Sequence, residues 1–108
     1  MTSIVQITVQ ELQQLRARGE CVVVLDVREP WEVEIAALPD CRHIPLNEIP
    51  LRLKELDADS AIIVMCKLGG RSQRAAEFLV NQGFTRVSNL QGGIDAGGRE
   101  IDSKLPTY

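Results

Sequence analysis

The chain has 108 residues, 44% of them hydrophobic and 25% charged, with a net charge of −3 at pH 7. That length suits one domain, residues 1–108, around one modest core. The acidic balance excludes nucleic acid and anionic lipid as default partners, since both require a basic face. No apolar run reaches the roughly 20 residues of a membrane span. The first residues, Met1-Thr2-Ser3-Ile4-Val5-Gln6, lack the basic start and long apolar stretch of a signal peptide. No membrane partner is expected, and the cytoplasm is the expected compartment.

In chain order, Val5-Gln6-Ile7 is a short strand. Thr8-Val9-Gln10-Glu11 has the T-x-x-E form of a capping box, in which hydroxyl and carboxylate satisfy each other's backbone amides. Val9, Leu12 and Leu15 then form one apolar stripe of a helix, ended by Gly19. Val22-Val23-Val24-Leu25 is apolar without alternation, the pattern of a strand covered on both faces in a parallel sheet. Asp26-Val27-Arg28-Glu29-Pro30-Trp31-Glu32 follows, with Pro30 suited to open a short helix running to about Ala36. Leu38-Pro39-Asp40 breaks that pattern. His43-Ile44-Pro45-Leu46 is read as a minimal edge strand. Asn47 is read as the cap of a helix with Ile49, Leu51, Leu53 and Leu56 on its apolar side and Pro50 in its first turn.

After the polar turn Asp57-Ala58-Asp59-Ser60, Ala61 to Met65 forms a second fully apolar strand. The loop Cys66-Lys67-Leu68-Gly69-Gly70-Arg71-Ser72 comes next. A helix from Ser72 to Gln82 places Ala75, Ala76, Phe78, Leu79 and Val80 inward and stops at Gly83. Val87 to Leu90 is a last short strand, Gln91 to Gly98 is glycine-rich, and the tail to Tyr108 has little pattern. Alternating strands and helices predict a small α/β fold with a parallel sheet. Ligands bind at the carboxyl ends of such strands, so Asp26, Arg28 and Cys66 are expected on one rim.

The loop carries the chemistry. A free thiol is mostly protonated at neutral pH. Here the helix start presents unpaired amides, Lys67 and Arg71 supply cations, and Gly69 and Gly70 let amides curl inward as an anion nest. Such surroundings favour a thiolate and cradle an anion. Cys21 and Cys41 are read as small buried or half-buried filler. The three cysteines form no C-x-x-C, and no histidine stands at metal spacing, so neither a metal nor a cofactor is expected. His43, the single histidine, is read as packed and hydrogen-bonded, which leaves a cysteine–histidine hydrolase without its base. The chemistry left is direct attack by a thiolate on an electrophilic sulfur or phosphorus.

The chain resembles the single-domain rhodanese family of sulfurtransferases. The resemblance is carried by Asp26-Val27-Arg28 with Pro30-Trp31-Glu32, by Cys66 to Ser72, by Ala75-Ala76-Glu77-Phe78-Leu79 and by Asn89-Leu90-Gln91-Gly92-Gly93-Ile94, in order along nearly the whole chain. It implies a five-stranded parallel sheet with helices on both faces. It implies a persulfide on Cys66, loaded by thiosulfate or another sulfane donor and unloaded by a thiophilic acceptor such as cyanide, or by a protein or thioredoxin-like thiol. Lys67, Leu68, Gly69, Gly70 and Arg71 would hold the persulfide and the donor. Asp26 and Arg28 match the family's D-x-R pair and are expected to support the site from a neighbouring strand, and Ser72 is expected as the helix start. A monomer is expected.

Related domains with phosphatase activity carry a loop one residue longer; here four residues separate Cys66 from Arg71, which favours sulfur transfer over phosphatase or arsenate reductase activity. The alternative is a carrier or docking module that passes persulfide sulfur to a partner protein. Three features depart from the family. Ala36-Ala37-Leu38-Pro39-Asp40 stands where G-H-I-P-G is common, Gly97 where a tryptophan is usual, and Leu68 where some members carry a cation. The second suggests a looser or differently packed C-terminal helix.

Overall fold

A computed structural model describes residues 4–108. Five strands, β1 Val5–Ile7, β2 Val22–Asp26, β3 Cys41–His43, β4 Ala61–Met65 and β5 Val87–Leu90, form one sheet. Its order is β1-β5-β4-β2-β3 and every pairing is parallel. Of four α-helices, α1 Val9–Ala17, α2 Pro30–Ile35 and α3 Gly70–Asn81 connect strands, as parallel neighbours require, while α4 Gly93–Glu100 follows the last strand.

The two continuous apolar runs became the central strands because both their faces are covered. On β4, Ile62 and Val64 join a cluster with Ala75, Ala76 and Leu79 of α3. Ile63 and Met65, pointing the other way, join Val9 and Leu12 of α1 with Ile94 and Ala96 of α4. The capping box of α1 forms as the sequence predicts: the Glu11 amide donates to Thr8 Oγ1 at 3.1 Å and the Thr8 amide to Glu11 Oε1 at 2.9 Å.

The middle of the chain departs from expectation. The edge strand lies at Cys41–His43, ahead of His43–Leu46, because the chain turns at Asp40 (φ 58°) and pairs at once, Cys41 beside Val24. Cys41 is therefore in a strand. The helix expected from Asn47 is instead two 3-10 turns, Leu46–Glu48 and Leu53–Glu55. Asn47 lies inside the first rather than capping it. Pro50 has no amide to give Leu46, so the α pattern cannot continue. Ile49 is buried, but Leu51 is 87% exposed. Cys21, expected as buried or half-buried filler, is exposed. Helix α3 begins at Gly70, two residues before Ser72, because Gly69 caps it with a left-handed backbone (φ 117°).

Helix α4 keeps eight residues despite Gly97 and Gly98. It packs on α1, and a hollow of about 250 Å³ beside Gly97 is lined by Val9, Leu12, Leu38, Pro39 and Ile101. The missing large side chain has left space rather than dissolved the helix. Among the described residues no helix is long and apolar enough to cross a membrane.

Candidate active site

Strand β4 ends at Met65, so Cys66 leaves the sheet at its carboxyl rim, only 1% exposed. The loop backbone is gripped from outside. Ile94 and Asp95, in the first turn of α4, donate their amides to the carbonyls of Cys66 and Lys67 at 2.9 and 3.1 Å. Gly93 permits this approach, since a Cβ there would lie 2.4 Å from the Cys66 carbonyl oxygen. With the carbonyls drawn outward, amides turn inward. The Gly69 amide donates to Cys66 Sγ at 3.0 Å. Ser72 Oγ lies 3.3 Å from the same sulfur.

Burial alone pushes the Cys66 thiol up. The Ser72 hydroxyl and the amides of Ser72, Gly69 and Leu68 outweigh burial, and the thiol sits below its ordinary value. A buried sulfur held this way is poised to ionise without a base.

Ser72, expected as the helix start, lies instead inside the first turn of α3 and faces the sulfur. Its hydroxyl donates to Asn89 Oδ1 of β5 at 2.5 Å. The Asn89 amide is fixed in turn, its Nδ2 donating to the Gly69 carbonyl at 3.2 Å and to Gln6 Oε1 at 2.9 Å. Asn89 therefore ties the sulfur's hydroxyl neighbour to the residue whose amide meets the sulfur. The signal in the sequence was an asparagine inside an otherwise buried strand.

The structure brings Asp26 and Arg28 to the same rim, but as a buried ion pair whose side chains share no hydrogen bond with Cys66. Arg28 Nη2 lies 2.7 Å from Asp26 Oδ2, and the two side chains are 0% and 2% exposed. The remaining donors of Arg28 reach the Ala36 carbonyl at 2.8 Å and the Tyr108 hydroxyl at 2.9 Å. His43 is half-buried, as the sequence suggested, with Nε2 2.7 Å from the Arg28 carbonyl.

Both loop cations are already paired. Lys67 Nζ meets Asp95 Oδ2 at 3.1 Å. Arg71 forks onto Glu32, with Nη1 and Nη2 donating at 2.6 and 2.9 Å. Arg71 holds the Glu32 carboxyl at about 2 although burial acts the other way, with help from the Glu29 amide and the Tyr108 hydroxyl. Tyr108 donates that hydroxyl to Glu32 Oε2 at 2.7 Å and lays its ring 5.1 Å from the Lys67 ammonium. Its edge-to-face partner is Trp31, with ring centroids 5.8 Å apart.

Sequence reasoning left Glu32, Asn89, Asp95 and Tyr108 without a role at the site. Glu32 had a signal, a carboxylate one turn into a proline-opened helix beside a rim arginine. The return of Tyr108 had none, because the tail carries no periodicity.

The match to known proteins agrees with this geometry. The family model described as Rhodanese-like domain matches residues 8–100. A protein named sulfurtransferase from Allochromatium vinosum is 37% identical over 94 residues, covering 87% of this chain and 88% of that protein. Thiosulfate sulfurtransferase GlpE of Pseudomonas syringae is 37% identical over 95 residues, covering 88% of each. Among solved structures, a rhodanese-related protein from Thermoplasma volcanium superposes with a TM-score of 0.81 at 31% identity, covering 90% of this chain and 93% of that one. The parallel five-stranded sheet, the cysteine loop at its carboxyl rim and these matches converge: the chain belongs to the rhodanese-like domain family.

Proposed function

We propose that the protein is a sulfurtransferase that carries sulfane sulfur as a persulfide on Cys66. The observation behind this reading is a buried sulfur met by an amide at 3.0 Å and a hydroxyl at 3.3 Å, so that the thiol is lowered in spite of burial. The Cys66 thiolate attacks the outer sulfur of thiosulfate or a similar donor. A Cys66 Sγ–S bond forms, the donor's S–S bond breaks, and sulfite leaves with the electron pair. The terminal sulfur keeps one negative charge, which the inward amides of the loop can meet. A thiophilic acceptor, cyanide or a thiol on a small molecule or protein, then attacks that sulfur and returns Cys66 as thiolate. No proton moves in the loading step, which suits a site without a general base.

Lys67, Leu68, Gly69 and Gly70 supply the loop backbone that surrounds the sulfur. Arg71 is assigned to holding the loop against Glu32, with its charge largely spent there. Asp26 and Arg28 anchor the end of β2 and the turn of chain around α2 that bears Glu32. The four-residue spacing from Cys66 to Arg71 makes a cradle sized for one added sulfur.

Mass spectrometry of the intact protein after incubation with thiosulfate tests this reading. One sulfur is gained on Cys66, removed by cyanide, and absent in Cys66→Ser. No adduct with any sulfane donor would end the proposal.

A further inference from the structure

We propose that Arg74 is the docking residue for the anionic end of the sulfur donor. The inference rests on the sulfur-transfer reading for the identity of the donor, but on geometry for the site.

Cys66 opens onto a cleft of about 360 Å³ lined by Cys66, Lys67, Leu68, Gly70, Arg71 and Arg74. A donor such as thiosulfate presents its sulfane sulfur to Cys66 and must leave a sulfonate at the cleft mouth. Lys67 and Arg71 look like the natural receptors, yet each already has a carboxylate partner. Lys67 is 3.1 Å from Asp95, and Arg71 is held by both oxygens of a carboxylate that is almost fully enclosed. Breaking the Arg71 pair to serve a substrate would leave the Glu32 carboxylate buried without its counter-ion, a costly step.

Arg74 differs on each count. It lies one turn along α3 from Arg71, it lines the same cleft, and it is exposed. It takes part in no ion pair among the described residues. The nearest acid on its own helix, Glu77, accepts instead from Gln73 Nε2 at 3.3 Å. An arginine here can offer a planar fork to a tetrahedral oxyanion while the first turn of α3 faces the reacting sulfur. The loop thereby divides its labour. Arg71 shapes the cradle, and Arg74 receives charge from outside.

The test separates charge docking from thiol chemistry by alkylating Cys66 with anionic iodoacetate and neutral iodoacetamide. Peptide mass mapping reads Cys66 apart from Cys21 and Cys41. In Arg74→Gln the iodoacetate rate is expected to fall about fivefold, as for one exposed charge near a monoanion, with the iodoacetamide rate unchanged. For dianionic thiosulfate the same potential acts on twice the charge, so kcat/KM falls about 25-fold, through KM. Arg74→Lys recovers most of both, and salt erases the wild-type preference. Arg86→Gln, the same charge change made at the amino end of the sheet, leaves the ratio unchanged. The proposal is overturned if both alkylation rates fall together in Arg74→Gln, if neither moves, or if Arg86→Gln matches it. Should wild type take no sulfur from any sulfane donor while Arg74→Gln still loses its iodoacetate preference, the docking site stands and the sulfur-transfer reading falls.

Discussion

Half-buried Cys41 and buried Cys66 both sit at the sheet, and they behave in opposite ways. Cys41 lies within the edge strand β3, where its sulfur sits 3.7 Å from the Pro39 carbonyl. That neighbour is an acceptor and favours the protonated thiol. Burial pushes the Cys41 thiol up, Arg16 pulls back only in part, and it ends above its ordinary value. Cys66 is more deeply enclosed, yet it ends below. The difference lies in which backbone groups face the sulfur. Inside a strand, even the edge strand β3, backbone amides point sideways in the plane of the sheet, away from the side chains that stand off its faces. A residue just past a strand end meets free amides from the next helix. Burial is therefore neutral as a clue to reactivity, and position on the carboxyl rim decides it.

The largest expected effect follows directly. Cys66→Ser abolishes sulfur loading from thiosulfate, whereas Cys41→Ser leaves it within about twofold, since a thiol held protonated contributes no nucleophile. Loss of loading in Cys41→Ser would break the contrast.

Arg71 near Cys66 and Arg16 near Cys41 are employed differently. Arg71 is clamped by Glu32, whereas Arg16 donates to the Asp40 carbonyl at 3.2 Å. Glu32→Gln removes the clamp. The folded Glu32 carboxyl is near 2 against about 4.3 unfolded, so its contribution is present above about pH 4.3 and fades as pH falls through about 2. Discounted because the Arg71 side chain is 31% exposed, the loss at pH 7 is about 2 kcal/mol. Melting curves should show wild type above the variant at neutral pH and the two converging toward pH 2. A gap independent of pH would mean that packing, not charge, holds α2 to the loop. With Arg71 unclamped, the Cys66 thiol should fall further still, widening its separation from Cys41.

Ser72→Ala narrows that separation. It removes the hydroxyl beside the sulfur, whose single proton serves either Asn89 Oδ1 or the thiolate, and leaves Asn89 Oδ1 without its partner. The Cys66 alkylation midpoint rises by about one pH unit, and the rate at neutral pH drops about tenfold. Cys41, on another strand, keeps its midpoint, and Ser72→Thr restores that of Cys66. A midpoint unmoved by Ser72→Ala would leave the thiolate to the amides alone.

The contrast also marks what the sequence could and could not disclose. Val22 to Leu25 and Ala61 to Met65 announced themselves as central strands because a strand covered on both faces must be apolar throughout. The cysteine loop was legible because its glycines, cations and following helix are contiguous. Asp26 and Arg28 were placed on the right rim by topology alone. The segment from Leu38 to Leu56 was misread because its prolines deny amides to patterns its leucines suggest. Ser72 was underrated because its partner Asn89 lies on β5, 17 residues along the chain. The pairing of Lys67 and Arg71 depends on Asp95 and Glu32, which come from helices far along the chain. Charge near a cysteine is visible in sequence; whether that charge is free is a tertiary fact.

The smallest prediction tests the comparison from the Cys41 side. Arg16 favours ionisation most among the side chains near Cys41, through its charge and a hydrogen bond, with the Arg28 charge a smaller aid, both against the dominant effect of burial. Its guanidinium is not clamped by a carboxylate, so its charge reaches Cys41 undiminished except by solvent and salt. Arg16→Gln should raise the Cys41 alkylation midpoint by a few tenths of a pH unit at low ionic strength, less at high salt, and leave Cys66 where it was. The helix that carries Arg16 also packs its other face on α4, so the melting temperature must be followed in parallel. A rise in the Cys41 midpoint without a change in melting assigns the effect to charge. A fall would mean that Arg16 seals Cys41 from water more than it attracts the thiolate, and that loosening this seal matters more than losing the cation.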